Sequence, residues 1–415
     1  MDGKKTKEVA IFKDYSLGVN TNRDAWVYNS SRHTVIDSTK RSVLAFNKAL
    51  GELNSGTDTS SVRQKYIKDV AWSSSLVSRL ERKIPSDFSE RRIQKSLYRP
   101  FFKQNLYFDP ESGFTHRPGR WKYIFPDSKA KNLAICSSGV DNLVICINQN
   151  AKDAGQIALM TNHIADLHFN GDTQCFPRWL PGEQSKTAVD DLFEAQNPMP
   201  SGFSPEALPH FQTAYPDESI TEDDLFYYIY GILHSEDYRT RYANNLMKEL
   251  PRIPRVATYE QFMAFVEAGQ ELARLHVHFE DVTPYAGVTI EYTKPGQPSF
   301  RVKQMRWGKI KGKTGHAAKD KSTLIYNDWI TVKNIPLEAQ EYVVNKKSAL
   351  DWVVERACVS IDKASGIVND FNDYAAEMGN ERYPLDLFLK IITVSLETMK
   401  IVKALPKLEI HPLDK

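Results

Sequence analysis

The stretch TEDDLFYYIYGILHSEDYRTRYANNLMKELPRIPRV, residues 221–256, carries the clearest secondary-structure pattern in the chain. Thr221 and Asp224 have the spacing of a capping box, which predicts that a helix begins there. Apolar residues then recur at helical intervals up to Ser235, which can cap a second helix. Pro251 cannot continue a helix and therefore predicts where the second one ends. Taken alone, the stretch is interpreted as a structural pair of consecutive helices.

Segments with strand character lie on both sides of this helical pair. Short β-rich runs alternate with turn residues at 98–176, and extended patterns return at 288–332. Residues 37–97 have helical periodicity and predict spacer helices, while the pattern from Pro336 to the end is again helical. We therefore predict an α+β fold with a mixed twisted β-sheet core, inserted helices, N-terminal spacer helices and a C-terminal helical subdomain.

The length of the chain predicts more than one unit, because 415 residues exceed the usual size of one domain. We expect a connector with spacer helices at 1–96, a β-rich domain at 97–335 with its helical insertion at about 219–278, and the helical subdomain at 336–415. Hydrophobic residues make up 41% and charged residues 26%, as in ordered globular proteins. Because no apolar run reaches membrane-spanning length and the N-terminus lacks a signal-peptide core, we expect a cytoplasmic protein.

Basic residues are clustered although the net charge is only +2. Segregation of this kind lets a nearly neutral chain present one basic face. The clusters are Arg91, Arg92, Lys95, Arg99 and Lys103, then Arg117, Arg120 and Lys122, and finally the dense run at 301–321.

Three polar turns offer side chains of the kind that contact nucleic acids, at 18–24, 117–121 and 148–150. The second is held open by Pro118 and Gly119 and suits a phosphate or base contact. The amides of the third suit the adenine edges exposed in a DNA groove. Each turn could equally be a solvated connection, and so could the basic loop at 308–321.

Motifs that would carry catalysis are incomplete in this sequence. Gly312-Lys313-Thr314 resembles the end of a phosphate-binding loop, but Trp307 stands where that pattern needs a glycine. Residues 197–200 are similar to the Asn-Pro-Pro-aromatic motif of amino-methyltransferases, yet they lack the second proline and the aromatic residue. Catalysis is therefore unsupported, and an unrecognised nuclease or phosphohydrolase remains only an alternative.

Candidate metal ligands and cysteines are interpreted as structural. His276, His278 and Glu280 have a spacing that could hold a metal on a strand, but His276 falls on a predicted helix, so we expect a helix end-cap. The four cysteines lack CxxC spacing, which predicts free buried thiols. Cys136 and Cys146 could pair across a sheet, and we predict that they do not.

Several long segments together resemble one known family. They lie at 11–29, 96–109, 117–120, 224–256, 322–356 and 365–373. In amino-acid sequence and in order along the chain, these segments resemble the C-terminal part of Type ISP restriction-modification enzymes, the single-chain ATP-dependent class. The resemblance spans nearly the whole chain.

The resemblance implies a function and a place in a longer enzyme. In that family the order is nuclease, helicase-like ATPase, coupler, adenine methyltransferase and target-recognition domain, and this chain is expected to begin just after the methyltransferase's catalytic motif. It would hold a specific duplex sequence and position an adenine for a fused or partner methyltransferase. The alternative is a scaffold that docks the methyltransferase and motor modules without binding DNA by itself.

The resemblance also implies partners, cofactors and contact residues. Double-stranded DNA and the methyltransferase and helicase–nuclease modules are the expected partners, with no membrane. No cofactor or metal is expected in this chain, whereas S-adenosylmethionine, ATP and Mg²⁺ are expected in the other modules. Such a domain needs basic side chains for phosphates and a few polar ones for base edges. The residues predicted to contact DNA, chosen from charge and loop position, are Asn20, Thr21, Arg23, Arg99, Lys103, Arg117, Arg120, Lys122, Asn148, Gln149, Lys309, Lys311 and Lys313.

Overall fold

Helices and strands are interleaved along the chain in the computed structural model, which describes residues 9–125, 142–148, 157–180, 200–311 and 317–414. The helices in these ranges are α1 (Asp24–Val27), α2 (Arg32–Asn54), α3 (Thr59–Lys65), α4 (Ile67–Val70), α5 (Ser74–Glu81), α6 (Trp121–Ile124), α7 (Ala207–Gln212), α8 (Glu222–His234), α9 (Glu236–Arg241), α10 (Ala243–Leu246), α11 (Tyr259–Val277), α12 (Ala349–Arg356), α13 (Phe371–Glu377) and α14 (Tyr383–Ala404). The strands are β1 (Ser16–Leu17), β2 (Tyr28–Asn29), β3 (Ile93–Arg99), β4 (Phe102–Tyr107), β5 (Val144–Asn148), β6 (Ala158–Thr161), β7 (Ile164–Ala165), β8 (Thr173–Pro177), β9 (Thr289–Tyr292), β10 (Arg306–Lys311), β11 (Ala317–Ile325), β12 (Ile330–Lys333), β13 (Val343–Val344), β14 (Lys347–Ser348), β15 (Val359–Ile361) and β16 (Val368–Asp370).

Three four-stranded sheets organise the described strands. Their orders are β1-β8-β5-β6, β2-β4-β3-β7 and β10-β11-β12-β9. Pairing is antiparallel except between β3 and β7, which run parallel, so the second sheet is mixed. The predicted α+β class, with helices packed around mixed sheets, is confirmed.

The two helices of the opening stretch begin where predicted. The second is shorter than predicted, because it breaks at Tyr242 into α9 and α10 and ends at Leu246, before Pro251. The Thr221 hydroxyl accepts from the Asp224 N–H at 3.1 Å, and the Asp224 carboxylate accepts from the Thr221 N–H at 2.9 Å, which completes the capping box of α8. Ser235 caps α9 by accepting from the Tyr238 N–H at 3.3 Å. Because both caps satisfy N–H groups that no helical carbonyl reaches, the helices begin where the sequence predicts.

The pair packs against the first sheet. In β5, Ile145 and Ile147 are buried on the side of α8 and α11, whereas Val144 and Cys146 belong to the larger core on the other side. This alternation is the period of two expected of a strand covered on both faces. Two acids of the first turn of α8 add ion pairs to Arg178, which follows β8.

Helices α8 and α11 cross with their backbones almost in contact. A Cβ atom on Gly231 would lie 2.2 Å from the Phe265 carbonyl oxygen, and one on Gly269 would lie 2.0 Å from the Tyr227 carbonyl oxygen. Only glycine fits at either position. The capping pattern does not reveal this crossing, which fixes the distance between the helices.

The N-terminal helices end earlier than predicted. Helices α2, α3 and α5 are capped by Ser31, Asp58 and Ser73, but the helical run stops at Glu81. Residues 93–97, the end of the predicted helical segment, are part of β3 (Ile93–Arg99) because they pair with β4. A cross-strand partner outside the segment decides its structure.

The C-terminal part is mixed and not wholly helical, contrary to the prediction from Pro336 onward. Pro336 precedes a short 3-10 turn at Leu337–Gln340, and two hairpins, β13–β14 and β15–β16, follow. Two helices follow within this part: Ser348 caps α12 by accepting from the Asp351 N–H at 3.1 Å, and Pro384 lies in the first turn of α14. A further short 3-10 turn lies at Pro412–Asp414 and an earlier one at Glu90–Arg92.

The predicted division at 1–96, 97–335 and 336–415 stays a prediction. Strand β3 runs across the first of these boundaries. The Asn29 side chain also donates to the Val368 carbonyl at 2.9 Å, which joins the first and last segments directly. Among the described residues, no helix is long and apolar enough to cross a membrane.

Candidate nucleic-acid interface

Two polar turns that are far apart in sequence lie side by side. The Asn20 N–H donates to the Arg117 carbonyl at 3.1 Å, and the Arg117 N–H donates to the Asn20 carbonyl at 2.8 Å. We call residues 20–24 and 117–122 together the loop pair. The structure therefore brings together two of the turns that the sequence singled out separately.

The backbone of the basic turn at 117–121 is held by contacts with β1. Gly119 has φ +61°, and a Cβ there would lie 2.4 Å from the Ser16 hydroxyl. The Arg120 N–H donates to that hydroxyl at 2.9 Å, and the Trp121 indole donates to the Leu17 carbonyl at 2.9 Å. Because left-handed φ and the close approach both favour glycine, the turn is held in one shape.

Arg117 and Lys122 are the outward cations of the loop pair, and both are exposed. Within the described residues Arg117 has no acidic partner, and Lys122 reaches Glu111 only at 3.9 Å with both side chains exposed. A surface pair of this kind is weak, so both cations are available to an anion. Arg120 is held differently, because it pairs with Asp14 at 2.7 Å and lies over the Tyr123 ring.

Thr21 and Arg23 lie inside the protein and present no surface to a duplex in this conformation. Thr21 is fully buried and donates to the Asp24 carboxylate. Arg23 is 4% exposed, donates to the Ser42 hydroxyl at 2.6 Å and lies 4.8 Å from the Phe114 ring centroid. Burial lowers the pKa of Arg23 to about 9. Both side chains fix the loop that carries half-buried Asn20.

Arg99 and Lys103 are also used internally. Arg99 pairs with Asp166 at 2.6 Å, with the two side chains 11% and 2% exposed. Burial raises the pKa of Asp166 to about 6, against the charge of Arg99. Lys103 pairs with Glu280 at 2.6 Å, at 12% and 16% exposure. Sequence patterns cannot reveal these pairs because the acids are distant in the chain.

Asn148 is the described residue of the third polar turn, and it is buried. Asn148 ends β5 and is 4% exposed, and its amide donates to the Asn345 side chain at 3.4 Å. Gln149 lies outside the described residues. A contact between Asn148 and a base would therefore need a rearrangement of this strand end.

The described residues of the basic loop at 308–321 belong to strands β10 and β11, which pair antiparallel. Lys309 is exposed on β10 and lies directly opposite exposed Lys319 on β11, a residue that the sequence analysis did not select. Lys311 ends β10, and Lys313 lies outside the described residues, as does the Gly312-Lys313-Thr314 pattern.

The candidate metal ligands have separate structural roles. The Tyr230 hydroxyl lies 2.6 Å from His276 Nδ1, and the Thr398 hydroxyl lies 3.0 Å from Nε2. His278 is exposed, and Glu280 accepts from Lys103. Within the described residues no group of three or more His, Cys, Asp or Glu could hold a metal ion. These contacts support the interpretation of His276 as a structural residue.

Two free cysteines face each other across the first sheet. Cys146 and Cys175 are opposite residues of β5 and β8, both fully buried, with 3.6 Å between their sulfur atoms. Cys136 lies outside the described residues, so its predicted lack of pairing stays a prediction.

Comparison with known proteins gives one family and several solved relatives. The model of the Type ISP C-terminal specificity domain matches residues 10–387. No curated protein sequence matches the chain.

Ten chains of solved structures match, and three of them cover 99% of this chain each. The first is a nuclease-deletion mutant of the Type ISP restriction-modification enzyme LlaGI in complex with a DNA substrate mimic, with 31% identity and a TM-score of 0.77. The second is the ATP-dependent Type ISP restriction-modification enzyme LlaBIII bound to DNA, with 29% identity and a TM-score of 0.79. The third is DrdV in a DNA complex, with 27% identity and a TM-score of 0.77. The chain spans 34%, 24% and 37% of these three chains respectively.

Proposed function

Because this chain belongs to the family of Type ISP C-terminal specificity domains, we propose that it recognises a specific sequence of double-stranded DNA and positions a target adenine for a methyltransferase module. The three solved relatives carry DNA in their structures, which supports the proposal. Catalysis by the whole enzyme, ATP-dependent restriction and adenine methylation, is assigned to other modules together with S-adenosylmethionine, ATP and Mg²⁺. The cytoplasm is the expected compartment.

The observation that carries the proposal is the loop pair. Its backbone is fixed by hydrogen bonds to Ser16 and Leu17, while Arg117 and Lys122 point their charges into solvent. A rigid backbone in the loop pair matters because phosphate contacts fix the orientation of a protein on the duplex, and the reading of base edges depends on that orientation. We propose that Arg117, Lys122 and Lys309 contact DNA directly.

The inward-facing predicted residues are proposed to act by positioning. Thr21 and Arg23 hold the loop that carries Asn20, and the pairs of Arg99 and Lys103 fix the second sheet beneath it. Removing Arg99 or Lys103 would leave Asp166 or Glu280 without its cation and so disturb the support of the surface.

Selection from a pool of duplexes with a randomised core tests the proposal. The 415-residue chain should enrich one sequence motif, and its affinity for that motif should fall steeply as salt is raised, because phosphate contacts release counterions. Enrichment of no motif, with an affinity indifferent to salt, would contradict sequence-specific recognition.

The double variant Arg117→Ala/Lys122→Ala separates recognition from the scaffold alternative. Loss of two phosphate contacts should lower the slope of log K against log salt by about 1.8 while the fold is kept. The control Lys48→Ala/Lys68→Ala removes the same charge from exposed positions on α2 and α4. Arg120 is left intact because it is paired with Asp14.

One observation favours the scaffold alternative. Ile361 and Val368 are opposite residues of the β15–β16 hairpin, and they are 64% and 45% exposed. An exposed apolar pair is a common feature of docking surfaces. If the loop-pair variant binds DNA as the wild type does, while Ile361→Ser abolishes assembly with the methyltransferase and motor modules, the scaffold role is the correct one.

A further inference from the structure

The β10–β11 hairpin is divided into a base and a distal ribbon. Arg306 and Trp307 pair with Ile325 and Leu324, and after an irregularity the register resumes with Gly308 opposite Asp320. We call residues 308–311 and 317–320 the distal ribbon. Three residues of β11, 321–323, have no paired residue in β10 at the junction, and such a bulge bends a hairpin and changes its direction.

The base of the hairpin is firmly anchored. Trp307 is 6% exposed, and its indole donates to the Asp351 carboxylate at 2.8 Å. Lys321 donates to the same carboxylate and lies 4.5 Å from the Trp307 ring centroid. Phe388 of α14 also packs against Trp307, with 6.0 Å between the ring centroids. The ribbon is therefore attached to a rigid part of the core.

The distal ribbon itself has little of the packing that normally stabilises two strands. Lys309, Ile310, Ala318 and Lys319 are all exposed, so both faces of the ribbon meet solvent. A two-stranded ribbon without a covered face is only marginally stable in water. Its own contacts do not explain why the chain keeps this shape.

Charge distinguishes the two faces. Lys309 and Lys319 are directly opposite each other, and within the described part of the chain neither has an acidic partner. Like charges at opposite positions destabilise a strand pair unless a polyanion lies against them. The other face carries Ile310 and Asp320, and hydrogen bonds from Ser322 lower the pKa of Asp320, which keeps it negative. The lysine face therefore attracts a polyanion more strongly than the face that carries Asp320.

We propose that the distal ribbon enters the major groove of the duplex with the Lys309–Lys319 face toward the base edges. The inference rests on the proposed DNA recognition and identifies the element that reads sequence. The major groove, about 12 Å wide, admits a two-stranded ribbon, whereas the minor groove is about 6 Å wide and does not. The strands of a ribbon lie about 4.8 Å apart, so this ribbon fits with its side chains.

The assignment gives Lys309 and Lys319 a definite chemistry. A lysine ammonium donates to the O6 and N7 acceptors of guanine, which are exposed only in the major groove. The small residues Gly308 and Ala318 keep the ribbon thin, and Ile310 faces away from the bases. Specificity for guanine at two nearby positions is the expected signature.

The experiment compares variants in duplex selection followed by anisotropy titration of the selected motif. Lys309→Gln/Lys319→Gln should lose guanine preference at those positions and weaken binding at least tenfold. Replacing these guanines by 7-deazaguanine, which lacks the N7 acceptor, should weaken the wild type and leave the double variant unchanged. Two controls are matched to it: Lys48→Gln/Lys68→Gln removes the same charge elsewhere, and Ile310→Gln alters the opposite face of the same ribbon.

Each other outcome has a distinct meaning. If the wild type enriches no motif, the proposed function fails and the ribbon inference fails with it. If the wild type enriches a motif that the ribbon variant enriches equally, recognition stands and the ribbon is not its reader. Weaker binding by the ribbon variant with an unchanged motif, or an equal loss in the charge-matched control, shows phosphate attraction alone and overturns groove entry.

Discussion

At the scale of single residues, Arg23 is unusual because its guanidinium is buried. Its Nε and Nη1 have no hydrogen-bond partner among the described residues, and a single bond reaches the Ser42 hydroxyl. The Phe114 and Trp26 rings, at 4.8 and 5.9 Å, replace part of the lost hydration through cation–π contact. Its pKa of about 9 reflects the cost of a buried charge.

Arg23→Met should keep or raise the free energy of unfolding. Methionine fills a similar space without a charge, and replacement of buried charges by apolar groups is often neutral or stabilising. Chemical denaturation at neutral pH measures the change. A loss of more than about 3 kcal/mol would show that the contacts of the guanidinium outweigh its burial. The salt dependence of DNA binding should not change, because Arg23 reaches no phosphate.

Two buried histidines make the protein sensitive to acid. Burial lowers the pKa of His234 to about 4 and that of His276 well below its usual value. In the unfolded chain a histidine binds its proton near pH 6.5. Between about pH 6.5 and 4 the unfolded chain therefore binds protons that the folded protein does not, and stability falls as pH falls through that window.

His234→Gln should reduce this loss of stability at low pH. Between pH 7 and pH 5 the decrease in unfolding free energy should be smaller than in the wild type by about 2 kcal/mol. Urea denaturation at the two pH values measures it, with His33→Gln, an exposed residue of α2, as the control. Equal acid losses in the wild type and the His234 variant would mean that His234 is not buried as a neutral group.

The roles of residues could be predicted only where the partner is near in sequence. Arg99, Lys103 and Arg117 look alike in the sequence as basic residues near turns. Arg99 pairs with Asp166 and Lys103 pairs with Glu280. These acids lie 67 and 177 positions further along the chain, so no local sequence pattern reveals the two pairs. Arg117 contacts Asn20 across the turn through backbone groups, and its side chain is exposed.

At the scale of elements, the crossing of α8 and α11 fixes the helical pair on the first sheet. Gly269→Ala should destabilise the protein by about 2 kcal/mol or more, since overpacking outweighs the gain of about 1 kcal/mol in helix propensity. Gly51→Ala in α2 is the matched control, because a Cβ there meets nothing within 4 Å, and it should stabilise. Thermal unfolding of both variants gives the comparison. A Gly269 variant as stable as the control would refute the close crossing.

Helix starts were predictable from sequence, and strand pairing was not. Thr221, Ser235 and Ser348 cap helices through bonds to residues three positions on, so the signal is local. Strand β3 and the β15–β16 hairpin depend on partners that the periodicity of their own segments does not contain. The prediction from helical periodicity therefore assigned helix to residues that form strands, both in the N-terminal segment and in the C-terminal part.

At the scale of the whole molecule, the helical pair supports the fold, whereas the loop pair and the distal ribbon are the surfaces proposed to contact DNA. The helical pair packs on one face of the first sheet, where its apolar residues are buried. The loop pair lies at the end of that sheet where β1 pairs with β8, and the distal ribbon extends from the third sheet. We propose that the loop pair contacts phosphates and that the distal ribbon reads the sequence.

The most direct test of sequence-specific recognition is a competition measurement. The dissociation constant of the chain for its selected duplex is compared with that for the same duplex scrambled, at about 150 mM salt, because affinities without a stated salt concentration cannot be compared. Recognition predicts binding to the selected duplex at least about 10³-fold tighter. Equal dissociation constants for the two duplexes would contradict it.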